Sequence, residues 1–344
     1  MWFAFLLMVL GAEPVPAATT RVAFVGDVNF AGRRDLGRAS EIFADLDRLT
    51  ATATIVVANV EGLLLAESAP AYGEERLNVS APPGFAAALA TSHITLLGTA
   101  NNHSWDAGAA GVLENLGHLA RHKTAFGTGA DATQAFAPVV ERGPAGCLSF
   151  VPATLKSNRR PQHGAMVAYY GPAKTGAERD VPELLALVTA ERAKGCAPIV
   201  TIHWGRENKP LPEAAIIAVG HALVDAGAAL VIGHHPHVMQ GVELRTGPYG
   251  PAAIAWSLGN FVFRNSDPDK RRSGIFEATF TRTATAPALS AASLTPMTID
   301  ARTFAPREAT AREVEQHLAA MTKRSQPFGT TVRLAGGRLE FTRP

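Results

Sequence analysis

The segment 229–241, with the sequence ALVIGHHPHVMQG, constrains the fold of this chain more than any other stretch. Ala229 to Ile232 are apolar and rich in branched side chains, and Gly233 follows them, which predicts a short buried strand that ends in a tight turn. His235 and His237 come two positions apart, so both rings can point to the same side if the backbone is extended. Because neutral imidazole is a common ligand of zinc and iron, the segment predicts a metal site at the end of a strand.

Apolar runs that lead into polar residues recur elsewhere in the chain. The runs at 21–25, 54–58, 94–97 and 198–202 are predicted strands, and segments with helical spacing separate them. Strands that alternate with helices favour an α/β fold, in which ligands bind at the carboxyl ends of the strands. We therefore expect a single sheet to gather six side chains at one edge: Asp27, Glu61, Asn102, His203, His235 and His237. Oxygen and imidazole ligands of this kind suit Mn, Zn or Fe, as one ion or as a close pair.

The composition excludes some classes of protein. The chain has 344 residues, of which 47% are hydrophobic, so it can bury a large core in one domain or in two smaller ones. Its formal charge of +2 comes from scattered lysines and arginines, and only 7% of its residues are aromatic, which argues against a nucleic-acid partner. No internal repeat or low-complexity linker marks a domain boundary. Beyond Gly274, the pattern predicts antiparallel strands, a helix at 311–322 and a hairpin around Gly336.

Residues 1–18 have the pattern of a secretory signal peptide. Residues 2–10 form an uninterrupted apolar run, too short to span a bilayer, and the small residues Ala17 and Ala18 follow it. We therefore expect an exported protein, periplasmic or otherwise extracytoplasmic. No lysine or arginine precedes the run, so an uncleaved signal that anchors the chain is the alternative.

Cys147 and Cys196 are the only two cysteines in the chain. Each stands at the start of a predicted strand, at 148–151 and 198–202, so they could lie side by side in a sheet and pair in an oxidising compartment. Two unrelated buried thiols are the alternative.

Six motifs, taken in order, resemble those of one known family. They cover most of residues 20–325 and read GDVNFAGR, NVEG, ANNHSWDAG, HWGRE, GHHPHVMQG and SLGNFVF. The family is the CapA/PgsA proteins of bacterial poly-γ-glutamate capsule synthesis, which is similar in fold to the calcineurin-like metallophosphoesterases. The resemblance implies a four-layer α/β/β/α sandwich over residues 20–325, with residues 326–344 as a C-terminal hairpin packed on the same domain.

The resemblance also implies a role for each site residue. The six strand-end side chains named above would be metal ligands, and Asn102 would ligate through its amide oxygen. His103 would be the general acid, with Asp106 placed to orient its imidazole. Two positions depart from the phosphoesterase pattern, because Asn29 stands where those enzymes have a histidine and Glu61 where they have a bridging aspartate. These departures imply that one metal position is weak or empty.

Two functions from different classes fit these features. The first is an exported metal-dependent hydrolase or transferase that acts on an anionic polymer or phosphoester, with membrane-bound polyglutamate synthase subunits as partners. The second is a non-catalytic accessory protein that binds the polymer. A purely structural metal site is a third reading, although such sites usually close with four tight ligands rather than an open set that includes an amide and carboxylates.

Overall fold

The computed structural model describes residues 18–31, 41–66, 79–158, 166–171 and 179–343. The predicted signal peptide lies outside the described residues, apart from Ala18. The described strands, in chain order, are β1 (Thr19–Val28), β2 (Ile55–Val60), β3 (Leu63–Leu64), β4 (Ser80–Ala81), β5 (Leu96–Gly98), β6 (Thr124–Phe126), β7 (Val139–Gly143), β8 (Gly146–Thr154), β9 (Cys196–His203), β10 (Leu230–His234), β11 (Val242–Gly247), β12 (Gly250–Ala255), β13 (Asn260–Val262), β14 (Arg272–Thr281), β15 (Ala288–Ile299), β16 (Pro306–Glu308), β17 (Thr331–Ala335) and β18 (Arg338–Thr342).

The described helices are short, and local sequence defines where two of them begin. They are α1 (Ala44–Leu49), α2 (Phe85–Thr91), α3 (Gly108–Leu119), α4 (Ala132–Ala135), α5 (Val181–Ala193), α6 (Ala214–Asp225) and α7 (Ala311–Ser325). Asp180 with Glu183, and Thr310 with Glu313, form capping boxes at the starts of α5 and α7, where each side chain satisfies a free backbone N–H group. Among the described helices, none has both the length and the apolar character that a membrane crossing requires.

Two β-sheets make up most of the structure. The first has ten strands in the order β17-β18-β15-β14-β1-β2-β5-β6, with β13 paired to β1 and β16 to β15. Its part β1-β2-β5-β6 is parallel. The second sheet has six strands in the order β11-β12-β10-β9-β8-β7, and β12, β10, β9 and β8 run parallel to one another. The carboxyl ends of the parallel strands within each sheet therefore lie together.

The two sheets pack face to face, and helices cover their outer faces. Phe24 and Val57 of the first sheet share one buried cluster with Phe150, Ile199 and Leu230 of the second. The opposite face of the first sheet packs on α1, α2 and α3 in a further cluster, and that of the second sheet packs on α5 and α6 in another. These layers confirm the predicted α/β/β/α sandwich. They also show that the expectation of a single sheet was wrong, because the strands divide between two sheets whose inner faces bury each other.

Other elements agree with the sequence patterns to different degrees. Helix α1 begins at Ala44, and Ile42 and Phe43 lie buried just before it. The hairpin around Gly336 is present as β17 and β18, and β18 pairs with β15 in the first sheet. Cys147 and Cys196 are register partners on β8 and β9, and they form the predicted disulfide.

Candidate metal centre and active site

The first sheet contributes three of the six predicted ligands at the ends of its parallel strands. Asp27 is the second-last residue of β1, Glu61 follows β2 directly, and Asn102 follows β5. Gly26 allows β1 to approach the loop before β13, because a Cβ atom there would lie 2.1 Å from a backbone oxygen of that loop, the carbonyl of Gly259. All three ligand side chains are buried.

The second sheet contributes the three histidines. His203 is the last residue of β9, and His235 and His237 follow β10. The segment that carries His235 and His237 is a turn after the strand, as predicted, with φ angles of 96° and 57° at these residues, and not an extended backbone. Such angles are costly for residues other than glycine, and contacts from elsewhere stabilise them. The backbone N–H of His235 donates to Asp27 Oδ2 at 3.4 Å, and that of Asn208 donates to the Pro236 carbonyl at 2.8 Å.

Glu61 lies at the centre of the cluster that the two sheets form. Its Oε1 atom is 3.6 Å from Nε2 of His237 and 3.9 Å from Nε2 of both His203 and His103. These separations are too long for hydrogen bonds. The distances from Glu61 to His237 and to His203 each suit two atoms that ligate the same ion, because two ligands about 2.1 Å from a metal stand roughly 3.4 Å apart in a tetrahedral site.

Three groups of side chains in this cluster could hold a metal ion, and they overlap. Glu61, His203 and His235 form one, Asp27, Glu61 and His237 the second, and in each the ligand atoms lie within 4.8 Å of one another. Glu61 is shared by these two groups, as a bridging carboxylate would be. The third group joins His235 and His237 to Glu207, which is exposed and therefore marks the open side of the cluster.

The predicted ligand Asn102 also reaches the cluster. Its Oδ1 accepts a hydrogen bond from Nε2 of His203 at 2.8 Å, and its amide group donates to Asn158 at 3.2 Å. His203 in turn lies 3.1 Å from Nδ1 of His235. All six predicted ligands are therefore brought together, although they come from two sheets.

The charges in the cluster favour a bound cation. Both oxygens of Glu61 are buried and have no hydrogen-bond partner among the described residues. Burial and the nearby charge of Asp27 raise the pKa of Glu61 to about 8, against the opposing effect of His237. Burial also lowers the pKa of His235 to about 3, with the charge of His237 as the next cause, and it lowers that of His203. A carboxylate without partners beside neutral imidazoles is the donor set that a divalent metal ion stabilises, so these residues fit such an ion.

Asp27 and His237 form the charged pair of the cluster. Burial acts to raise the pKa of Asp27, but hydrogen bonds from His234 and His237 outweigh it and hold the pKa well below its usual value. Burial acts in the opposite sense on His237, but the charges of Glu61 and Asp27 outweigh it and raise its pKa to about 10. The imidazolium of His237 thus balances the negative charge of Asp27.

His103 and Asp106 lie next to Glu61, as a pair. Nδ1 of His103 is 2.7 Å from Oδ2 of Asp106, which also accepts from the backbone N–H of Val79 at 3.1 Å. Burial acts to lower the pKa of His103, but the hydrogen bond to Asp106 and the charge of Glu61 raise it above the usual value. The ring is therefore oriented with Nε2 towards Glu61, 3.9 Å from Oε1 of that residue.

Several polar residues of the site were not among the predicted site residues. His234, at the end of β10, lies with Nδ1 3.0 Å from Oδ1 of Asp27, and Asn59 donates to the same oxygen at 2.8 Å. Asn260 has Oδ1 2.9 Å from Nδ1 of His237 and donates to the carbonyl of that residue at 3.2 Å. Asn59 and Asn260 stand inside the NVEG and SLGNFVF motifs, so their position in those motifs was the available signal.

Asn29 does not replace the missing histidine in this arrangement. Its Oδ1 accepts a hydrogen bond from the backbone N–H of Ala31 at 2.7 Å, so the amide oxygen is engaged in a local turn. The group around Asp27 therefore has one protein ligand fewer than the phosphoesterase pattern provides.

Comparisons with known proteins agree with this arrangement of motifs. The family described as "Bacterial capsule synthesis protein PGA_cap" matches residues 21–265. Over 272 residues the chain is 27% identical to the PGA biosynthesis protein CapA of Bacillus subtilis (strain 168). This alignment covers 75% of this chain and 69% of the relative. Over 214 residues the chain is 30% identical to the capsule biosynthesis protein CapA of Bacillus anthracis. This second alignment covers 60% of this chain and 50% of that relative.

The structure was also compared with solved structures. It is similar to the calcineurin-like phosphoesterase YfkN from Bacillus subtilis, at 11% sequence identity and a TM-score of 0.46, over 89% of this chain and 98% of that one. The family match, in contrast, rests on sequence and extends over more than half of the 344 residues. The chain therefore belongs to the family of bacterial capsule synthesis proteins described as PGA_cap.

Proposed function

We propose that this protein is an exported metal-dependent hydrolase or transferase that acts on an anionic polymer or a phosphoester during the synthesis of poly-γ-glutamate or a related cell-envelope polymer. One observation carries the proposal. Glu61 is shared by two groups of potential metal ligands, and the His103–Asp106 pair stands 3.9 Å from it. Potential ligands for an ion and the imidazole of His103 thus meet at one edge of the sandwich.

The residues divide into those that hold a metal and those that move a proton. Asp27, Glu61 and His237 would hold one divalent ion of Mn, Zn or Fe, and Glu61 with Asn102, His203 and His235 would hold a second. Activation of water and polarisation of a substrate oxygen are the chemistry that such a metal supplies when it is bound.

His103 supplies the proton in this mechanism. Asp106 accepts from Nδ1, so that Nε2 is the nitrogen that presents a proton to the leaving group of the substrate. The hydrogen bond to Asp106 and the charge of Glu61 raise the pKa of His103, which favours the protonated form that a general acid requires. Asp106 acts through His103 and is a positioning residue.

Turnover assays test the catalytic part of the proposal. We would treat the purified chain with a chelator, restore Mn or Zn, and measure hydrolysis of a model phosphodiester and shortening of poly-γ-glutamate. Metal-dependent turnover that His103→Asn abolishes, and that His122→Asn at an exposed position retains, is the expected result. Full turnover in His103→Asn would show that the acid is assigned to the wrong residue.

A non-catalytic accessory protein that binds the polymer is the second candidate. The engaged amide of Asn29 supports it, because the group around Asp27 then offers three protein ligands among the residues that could hold an ion. If the metal-loaded chain binds poly-γ-glutamate and never shortens it or hydrolyses the diester, this second candidate replaces the first.

We also propose that the protein works outside the cytoplasm, beside membrane-bound polyglutamate synthase subunits. The disulfide between Cys147 and Cys196 supports the location, because such bonds persist in oxidising compartments. The names of the two Bacillus relatives, which refer to PGA and capsule biosynthesis, support the partners. Fractionation of cells that produce the protein tests the location, and its recovery only in the cytoplasm would contradict it.

A further inference from the structure

A second pocket lies between the first half of α7 and the turn that leads into β14. Arg271 and Arg272 line it from the turn, and Glu313, Gln316 and His317 line it from the helix. The pocket has about 420 Å³ of space, including its open mouth. About 110 Å³ of it is open to the centres of water molecules, and one water needs about 10–15 Å³ by that measure, so the pocket has room for a small molecule. Its lining contains none of the six candidate metal ligands.

Three side chains of this pocket carry buried nitrogen atoms without a hydrogen bond. They are Nε of Arg271, Nε of Arg272, and both ring nitrogens of His317, none of which has a hydrogen-bond partner of normal geometry among the described residues. The His317 side chain is almost completely buried, at 1% exposure. An arginine nitrogen can only donate, and a neutral histidine carries one donor. Because buried donors in native proteins nearly always have an acceptor, this cluster indicates an acceptor-rich occupant.

The acidic groups near the pocket are already engaged. The carboxylate of Glu313 accepts from both terminal nitrogens of Arg307, at 2.9 Å and 2.7 Å. Asp269 accepts from Arg324 at 2.9 Å and 2.8 Å and also pairs with Arg272. These pairs leave the pocket with an excess of positive charge.

His317 and Arg271 show the effect of this excess. Burial, and then the positive charge of Arg272, lower the pKa of His317 to about 4, although the nearby carbonyl of Met297 acts in the opposite direction. No ion pair of Arg271 is formed among the described residues, so its guanidinium charge is not balanced by a neighbour. An anion would balance this charge and at the same time accept hydrogen bonds from the free donors.

We propose that this pocket binds a small oxyanion, of the carboxylate or phosphate class, through the Nε–H groups of Arg271 and Arg272 and a ring N–H of His317. The proposal is independent of the proposed function. It has a structural link to the candidate metal centre, because the carbonyl of Lys270, in the same turn, accepts a hydrogen bond from Asn260 at 3.1 Å. Asn260 is the residue that contacts His237. An oxyanion in the pocket therefore orders the turn that supports one side of the metal centre.

Calorimetric titration of the full-length, metal-free chain tests the proposal. Inorganic phosphate and glutarate, a short dicarboxylate, are titrated separately. The anion that binds with the higher affinity identifies the class of the natural ligand. Removal of the metal keeps the ions from the candidate metal centre out of the measurement. We expect one saturable site that Arg271→Met weakens by about tenfold or more, because each charge-assisted hydrogen bond has roughly that effect on affinity.

Two further variants make the result specific. Arg333→Met removes the same charge at an exposed position of β17, and we expect it to bind like the parent chain. His317→Leu removes one hydrogen-bond donor at nearly constant volume, and we expect this variant to bind the anion more weakly than the parent chain. It tests the proposal even if Arg271→Met does not fold. No saturable binding of either anion would overturn the proposal, as would equal weakening in Arg271→Met and Arg333→Met.

Discussion

Loss of the disulfide between Cys147 and Cys196 is predicted to destabilise the protein strongly. The two residues face each other across the parallel strands β8 and β9, with their Cα atoms 4.5 Å apart. They are 49 positions apart in sequence, so the bond closes a long loop in the unfolded chain. For a loop of about 50 residues, the chain-entropy relation gives a stabilisation of about 4 kcal/mol at 25 °C.

Guanidinium unfolding of three samples tests this value. The oxidised parent, the parent in dithiothreitol, and the double variant Cys147→Ala/Cys196→Ala are compared by fluorescence. We expect the reduced parent to lose about 3–4 kcal/mol of unfolding free energy, and the double variant to lose at least as much because it also gives up buried sulfur contacts. A difference below about 1 kcal/mol between oxidised and reduced parent would refute the loop-entropy reasoning.

Three further changes have expected outcomes that the structure defines. Gly26→Ala places a new Cβ 2.1 Å from a backbone oxygen in the loop before β13. We expect thermal unfolding to show a loss of about 1–3 kcal/mol in unfolding free energy. Gly117→Ala is the control, because Gly117 has open space around it, and we expect it to be neutral or stabilising. The hydrogen bonds from Arg307 lower the pKa of Glu313 to about 2, so this carboxylate contributes stability that is fully present above pH 4.5 and is lost as the pH falls through about 2. Glu313→Gln therefore lowers the unfolding temperature at neutral pH, by an amount that corresponds to about 1 kcal/mol for this partly exposed pair. If the parent and the variant differed as much in unfolding temperature at pH 2 as at neutral pH, the charge of Glu313 would not be the cause. His103→Asn is expected to retain metal and to lose about 10²- to 10⁴-fold in turnover of any validated substrate, and loss of metal in this variant would instead make His103 a ligand.

The sequence alone was sufficient to predict that these six side chains lie close together, and their role as metal ligands stays a prediction. Each follows a short apolar strand, and the carboxyl ends of parallel strands meet wherever the strands pair. The pattern also left the disulfide open as one of two alternatives, and the structure selects it because Cys147 and Cys196 begin strands that are neighbours. These predictions depend only on local pattern and on the direction of the chain.

The division into two sheets did not follow from local pattern. A buried parallel strand such as β8 is apolar on both faces, and its sequence is the same whether it pairs with β6 or with β9. The choice of neighbour is determined by which faces bury each other in the finished sandwich. The motif resemblance, rather than the strand pattern, led to the correct architecture.

The positive φ angles at His235 and His237 could not be predicted for a related reason. These angles are stabilised by Asp27, from the other sheet, and by the N–H of Asn208. Neither contact is visible in the residues that flank the turn. The roles of Asn260 and His234 beside the ligands depend on similar contacts between distant parts of the chain.

Metal content of the purified protein tests the central claim, that these strand-end side chains form a metal centre. Elemental analysis would be run on the parent chain, on Asp27→Ala and His235→Ala, and on His122→Ala as a control that removes an exposed histidine. We expect about one or two transition-metal ions per chain in the parent and in His122→Ala, and a large loss in the other two variants. No bound metal in the parent after incubation with Mn and Zn, or equal metal in all four proteins, would contradict the account.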